Sequence, residues 1–280
     1  MILEESILIQ VIQKRPRKSH KGDYGRLLLI GGFYPYAGAI IMAAQAAVAS
    51  GAGLVTVASE KETISPLHAR LPEAMALDVA DQSLFLQTLK AADSVLLGPG
   101  LSENSKAESL FDLVMEHLSE EQVLILDGSA INLMAKRKPK LKVGQNLILT
   151  PHEKEWERLS GLAINEQTEA TSQEALKQFP QATILVAKSH QTKLIQGKSI
   201  YHLSVGGPYQ ATGGMGDTLA GMIAGFSGQF PQASLFEKVQ AATYLHAYIA
   251  EQEAKEAYVV LPSRISQVIP KWMQTFAKKS

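Results

Sequence analysis

Cysteine is absent from this chain of 280 residues. Its absence excludes disulfides, thiolate catalysis and cysteine-held metals, and it fits a reducing compartment. Net charge is absent too. The 27 basic residues balance 27 acidic ones, so no broad field draws the chain to nucleic acid or to an anionic membrane. No run approaches the ~20 apolar residues of a membrane-spanning helix. The opening MILEESILIQVIQKRPRK carries acids early and no apolar stretch long enough for a secretory signal, so the expected location is the cytoplasm. No linker rich in Pro, Gly or Ser divides the chain, and no repeat or low-complexity segment occurs. None of the seven histidines has H-x-x-x-H or H-E-x-x-H spacing, so no zinc site is expected.

What is present is a core. Hydrophobic residues make up 46% of the chain and charged ones 19%, the balance of a globular protein. Short apolar runs read as strands at Arg26–Gly31, Leu54–Ala58, Ser94–Gly98, Val123–Asp127, Asn146–Thr150 and Thr183–Ala187. Helical stretches separate them, among them an Ala-rich helix over Gly38–Gly51 and one around Glu103–Leu118. Two more, near Ser234–Glu253 and Ser263–Phe276, close the chain. Apolar strands alternating with helices predict an α/β fold, a three-layer sandwich with a mostly parallel central sheet. A single domain over residues 1–280 is the economical division.

In such sheets ligands bind at the carboxyl ends of the strands, and the unusual residues follow those ends. They are Gly31-Gly32, Gly98-Pro99-Gly100, Asp127-Gly128-Ser129, Thr150-Pro151-His152-Glu153 and Lys188-Ser189-His190-Gln191-Thr192. Each alone is an ordinary turn composition; together they outline a crevice. The most informative stretch is Ala211-Thr212-Gly213-Gly214-Met215-Gly216-Asp217-Thr218, which runs into an apolar helix over Leu219–Phe226. Glycines before a helix start let a ligand meet unpaired N–H groups and the positive dipole end, the arrangement that holds a phosphate. Asp217 has two readings. It complements the dipole as acids in first turns do, or it takes a proton from the group attacking that phosphate.

Other positions also keep two readings. The Gly31–Ala39 segment has neither the G-x-G-x-x-G spacing nor a P-loop lysine. It is a plain turn with Tyr36 packed on the core, or a small-residue wall admitting a flat ring. His152 is a helix-start residue or a ligand. Asp127 and Glu153 cap helices or hold Mg²⁺ through water near phosphates. The basic run Lys14, Arg15, Arg17, Lys18, Lys21 is a solvated surface or a phosphate contact.

In order along the chain, several segments carry one pattern. They are His20-Lys21-Gly22-Asp23-Tyr24-Gly25, Gly31–Ala39, Gly98-Pro99-Gly100, Asp127-Gly128-Ser129-Ala130, Thr150-Pro151-His152-Glu153 and Ala211–Gly221. The set resembles the NAD(P)H-hydrate dehydratases, repair enzymes of the ribokinase-like superfamily, over nearly the full length. The resemblance implies a substrate, NADHX or NADPHX, the hydrated reduced nicotinamide cofactor. It also implies phosphoryl-driven dehydration with ADP or ATP as donor, and Mg²⁺. Ala39, Gly100, His152 and Asp217 match family positions that bind the hydrate. Lys188, Ser189, His190, Gln191, Thr192 and Gly216 match those that bind the adenosine nucleotide. Asp217 would be the catalytic base, and the N–H groups of Gly214, Met215 and Gly216 an anion hole.

This sequence departs from the family pattern at several places. Ser129 stands where a second acid is frequent, Ser189 where a glycine is, and Met215 where Ser or Thr is usual. Gly207 and Tyr209 replace an Asn and a Gly. The resemblance also implies a homotetramer, for which the Gly38–Gly51 helix and Ile7–Ile12 would supply surface, and an NAD(P)H-hydrate epimerase on a separate chain. Two rivals stand beside this reading. One is a small-molecule kinase of the same fold acting on a thiazole or pyridoxal alcohol. The other is a non-catalytic nucleotide-binding protein.

Overall fold

The structure, a computed structural model, describes residues 1–279. The chain opens with β1 (Ile2–Leu3), α1 (Ser6–Val11), β2 (Arg26–Ile30), α2 (Ala37–Ala49), β3 (Leu54–Ser59), α3 (Lys61–Arg70) and β4 (Met75–Asp78). It continues through α4 (Gln82–Ala91), β5 (Ser94–Leu97), α5 (Ser105–His117), β6 (Val123–Leu126), α6 (Ser129–Arg137), β7 (Asn146–Leu149), α7 (Glu153–Ser160) and α8 (Glu169–Leu176). It closes with β8 (Ile184–Ala187), β9 (Lys193–Gln196), β10 (Ser199–Leu203), α9 (Met215–Ser227), α10 (Leu235–Glu253) and α11 (Pro262–Ala277).

All the strands join one sheet in the order β1-β10-β9-β8-β7-β6-β5-β2-β3-β4. From β8 to β4 every neighbour pair is parallel. Only β9 runs against its neighbours. Successive side chains of a strand face opposite sides, and the two cores divide accordingly. Leu27, Leu29, Leu96, Ile125 and Ile148 pack with α1, α2, α9, α10 and α11. Leu28, Ile30, Leu97, Leu126 and Leu149 pack with α4 to α8. Because both faces are covered, the central strands are apolar along their whole length, which is why they were legible as continuous runs.

The first layer rests on one close approach. A Cβ at Gly221 of α9 would collide with the carbonyl oxygen of Ala43 on α2, and one at Gly225, a turn later, would stand 2.8 Å from the Cβ of Ser50. The Ala-rich face of α2 and this glycine stripe let the two helix backbones nearly touch. Ile40, Ala43, Ala44, Ala46 and Ala47 are buried in that contact. Ile7, Leu8, Val11 and Ile12 are likewise buried within the chain. The buried side of each segment packs within the chain, while Ile9, Ile41, Val48 and Ala49 stay partly exposed.

Four strands, β1, β4, β9 and β10, lie outside the apolar runs that the sequence predicts. β10 is half-buried at every position, β1 is two residues long and β4 begins on an exposed Met75, so none makes an apolar run. Strand order places β2 between β5 and β3. The connection leaving β2 runs to β3 and the one leaving β5 runs the opposite way to β6, and such a switch point opens a crevice at the carboxyl ends. The loops that follow β2 and β5 are tied across it: Gly32 N–H donates to the Pro99 carbonyl at 2.9 Å and Phe33 N–H to the Gly100 carbonyl at 2.8 Å.

Candidate active site

The start of α9 forms the floor of the site. Gly214 is its N-cap, with φ of 92°, a conformation that side chains disfavour. A Cβ there would also strike Met42 of α2. Thr218 N–H donates the first intrahelical bond, to the Gly214 carbonyl at 3.0 Å. The earlier N–H groups, those of Gly214, Met215 and Gly216, have no partner within the helix and lie open at its positive end, the arrangement expected of an anion cradle. Asp217 follows in the first turn. Its carboxylate makes no hydrogen bond or ion pair with the described residues. Burial pushes its pKa up to about 6, the nearby Asp127 and Glu155 carboxylates add to the rise, and Lys188 opposes it. A carboxyl held near neutrality and left unpartnered is suited to proton transfer.

Lys188, directly after β8, reaches in from the side. Its Nζ lies 2.8 Å from Asp127 Oδ1, and a Cβ on Gly216 would stand 3.1 Å from it. Thr150 Oγ1 donates to the same Asp127 oxygen at 2.7 Å. Burial lowers the Lys188 pKa, but Asp127, Glu155 and Asp217 outweigh it and hold the ammonium above its ordinary value. Asp127 is 3% exposed. The cap of α6 is the residue after it, Gly128, with no side-chain bond. Asp127 is thus not the helix cap, and its Oδ1 is committed to Lys188 and Thr150.

His152 caps α7. Its Nδ1 accepts from the Lys154 and Glu155 N–H groups at 3.1 and 3.2 Å, while the Glu155 carboxylate accepts from the His152 N–H at 2.8 Å. Two amide donors on Nδ1 leave the ring proton on Nε2, which lies 3.3 Å from Glu155 Oε1. This capping box replaces the expected cap by Glu153, which is exposed in the first turn. Its sequence signal was Glu155, three residues after the cap, obscured because histidine is an unusual cap. His152 also forms a parallel bridge with Lys188, so the two loops are neighbours.

Ala39 and Gly100 meet at the β2/β5 switch point, where a Cβ on Gly100 would stand 3.0 Å from that of Ala39. Ala39 and Met42 lie three residues apart on α2, and Met42 abuts Gly214, so the Ala39–Gly100 wall adjoins the anion cradle. Tyr36, expected on the core, is 58% exposed at the mouth. On the other side of the cradle a cavity of about 490 Å³ is lined by Lys188, Ser189, His190, Thr192, Gly216 and, from α10, Thr243 and His246. Gln191 does not line it and faces a smaller cavity with His152 and Glu153. Burial lowers the His246 pKa to about 4, so the ring is neutral beside Lys188. Its Nε2 is buried without a partner. Neither Asp127 as an ion-pair partner nor His246 had a local sequence signal.

A family model described as NAD(P)H-hydrate dehydratase matches residues 27–271. The chain belongs to the NAD(P)H-hydrate dehydratase family. An ADP-dependent (S)-NAD(P)H-hydrate dehydratase of Streptococcus thermophilus is 56% identical over 274 residues, 98% of this chain and 99% of that protein. Among solved structures, a ribokinase-like superfamily protein of Enterococcus faecalis superposes with a TM-score of 0.95 at 41% identity, covering 99% of this chain and 96% of that one. The ADP/ATP-dependent NAD(P)H-hydrate dehydratase of Bacillus subtilis, co-crystallised with ATP and Mg²⁺, has a TM-score of 0.84 at 27% identity over 98% of both chains. In this dehydratase-family chain Ser189 and Met215 both fit the backbone where they stand. Ser189 is not among the residues with positive φ, so it replaces a glycine without backbone strain. Met215 turns its side chain into the core and leaves its N–H at the helix start. The family segment His20–Gly25 lies at the amino edge of β2, away from the cradle, where the Tyr24 carbonyl accepts from Gly53 N–H at 2.9 Å. It braces the turn into β3.

Proposed function

We propose that the chain dehydrates (6S)-NADHX and (6S)-NADPHX to NADH and NADPH at the expense of ADP, with ATP as the second donor. The observation that carries this reading is the unpartnered Asp217 carboxylate, raised to about 6, beside an open helix start and a lysine. A binding protein gains nothing from a bare carboxylate next to phosphate. The ADP preference is supported by the Streptococcus thermophilus relative, named an ADP-dependent enzyme.

Hydroxide leaves the hydrated ring poorly. Asp217 accepts the proton of the C6 hydroxyl as that oxygen attacks the terminal phosphorus of the donor. The new O–P bond forms as the bond to AMP breaks. The ring nitrogen then drives out phosphate from C6, and loss of the C5 proton restores the double bond. The sum is hydrate plus ADP giving reduced cofactor, AMP, phosphate and a proton. The N–H groups of Gly214, Met215 and Gly216 and the Lys188 ammonium stabilise charge on the transferring group. The hydrate occupies the wall of Ala39, Gly100 and His152, and the nucleotide the cavity at Lys188 to Thr192 and Gly216, with Gln191 outside the direct lining.

Three carboxylates, those of Asp127, Glu155 and Asp217, face one ammonium here, and that uncompensated charge fits a cation entering with the nucleotide. No cluster of three or more His, Asp or Glu side chains suited to caging a metal occurs among the described residues. The phosphates would therefore be the main ligands of Mg²⁺, with Glu153 reaching it through water, and the ion would neutralise the donor phosphates.

One domain carries both subsites, the assembly is a homotetramer, the setting is cytoplasmic, and a separate epimerase supplies the (6S) form. The deciding experiment incubates purified protein with NADHX, Mg²⁺ and either ADP or ATP and follows reduced-nicotinamide absorbance. Recovery with ADP, with AMP and phosphate formed in equal amounts, supports the reading. A stable phosphorylated product would make the chain a small-molecule kinase, and no turnover with either nucleotide would end both readings.

A further inference from the structure

We propose that Asp127 is a positioning residue that holds Lys188 away from Asp217, keeping the base unpaired and the ammonium against the anion cradle. The inference rests on the reaction assigned above. Asp127 and Lys188 are 61 residues apart, yet they meet at 2.8 Å behind Gly216. Asp127 is aimed by the Thr150 hydroxyl and is buried, so its own carboxylate does not reach substrate.

Lys188 stands among three carboxylates, Asp127, Glu155 and Asp217, and interacts with all three. Only Asp127 bonds it directly. Glu155 is occupied by the His152 N–H and ring. Asp217 is the remaining competitor. Were Lys188 to pair with it, the base would become a weaker proton acceptor and the ammonium would leave the cradle. Asp127 therefore does two things with one bond: it supplies a cation to the transferring phosphoryl group and denies that cation to the base. The groups that act on Asp217 are Asp127 after β6, Lys188 after β8 and Glu155 on α7. His246 on α10 is neutral and sets no charge there.

The test uses the full-length enzyme with NADHX, ADP and Mg²⁺. Asp127→Asn keeps the shape and frees Lys188. The acid limb of kcat/KM, near pH 6 in the wild type, should move down by more than about one pH unit. The variant loses the Asp127 charge that raises Asp217 and frees Lys188 to pair with it. Thr150→Val, which keeps both charges, reads the second effect alone. At the same time kcat should fall by about tenfold or more, with the ADP KM changed less than about threefold. Asp127→Asn combined with Lys188→Met removes the quenching cation, so its acid limb should return to near the wild-type position although turnover stays low. Thr150→Val keeps both charges and loosens Asp127. It should shift the limb in the same direction by less, and it serves where Asp127→Asn fails to fold. An acid limb unmoved in Thr150→Val, or a double variant whose limb stays low, overturns the proposal. Carboxyl-carbon NMR titration of Asp217 in the same variants reads the same shift without turnover. An inert wild type would thus overturn the reaction and leave the positioning claim separately tested.

Discussion

Asp217 is ionised above about pH 6 and protonated below it, so a general base at this position works on the alkaline side of that value. The wild-type kcat/KM should fall as pH drops through about 6, and Asp217→Asn should lower turnover about 10²–10⁴-fold. The same raised pKa has a consequence for stability. In the unfolded chain the carboxyl titrates near 3.8 and in the folded chain near 6. Between those values the native state binds the extra proton, and its stability declines as pH rises through the window. Above pH 6 the folded protein carries the whole penalty, about 3 kcal/mol at roughly 1.4 kcal/mol per unit. Asp217→Asn should therefore melt higher than wild type at pH 8 and equally at pH 4, as thermal unfolding at the two pH values checks. A plain dipole-complementing acid would give the opposite sign, since its loss destabilises.

Between elements, the contact of α2 with α9 ties stability to the site. α2 carries Ala39 and Met42, and α9 carries Gly214 to Asp217. Their spacing is set by the missing side chain at Gly221, where a Cβ would run into the Ala43 backbone. Gly221→Val should cost about 3 kcal/mol or more through forced separation of the helices, seen as a lower midpoint in urea. Turnover should fall even at temperatures where the variant is folded, because the cradle moves away from the hydrate wall. At α7 the effect of a change is local. His152→Ala removes a cap contributing about 1 kcal/mol and should leave the Asp127–Lys188 pair in place. Its larger effect should be on the hydrate KM, measured against an unchanged ADP KM.

For the whole molecule, the proposed tetramer has the partly exposed Ile9 of α1 and Ile41, Val48 and Ala49 of α2 as apolar contact surface. Light scattering at assay concentration should give four times the 30.3 kDa chain mass, and a monomer would end the proposal. No described helix is long and apolar enough to cross a membrane. Sequence by itself determined the layered α/β plan, because strands covered on both faces must be apolar throughout and turns at their ends must be small or polar. It also marked the cradle, since a glycine-rich helix start is a local feature readable from consecutive residues. Tertiary structure alone decided the rest. The pairing of Asp127 with Lys188 depends on where strand order sets β6 and β8. The raised pKa of Asp217 depends on burial and on charges more than sixty residues away in sequence. His246 lines the cavity beside Lys188 only because α10 packs against α9. Electrostatics and packing act through space, and spacing along the chain carries them only where the fold has already brought the residues together.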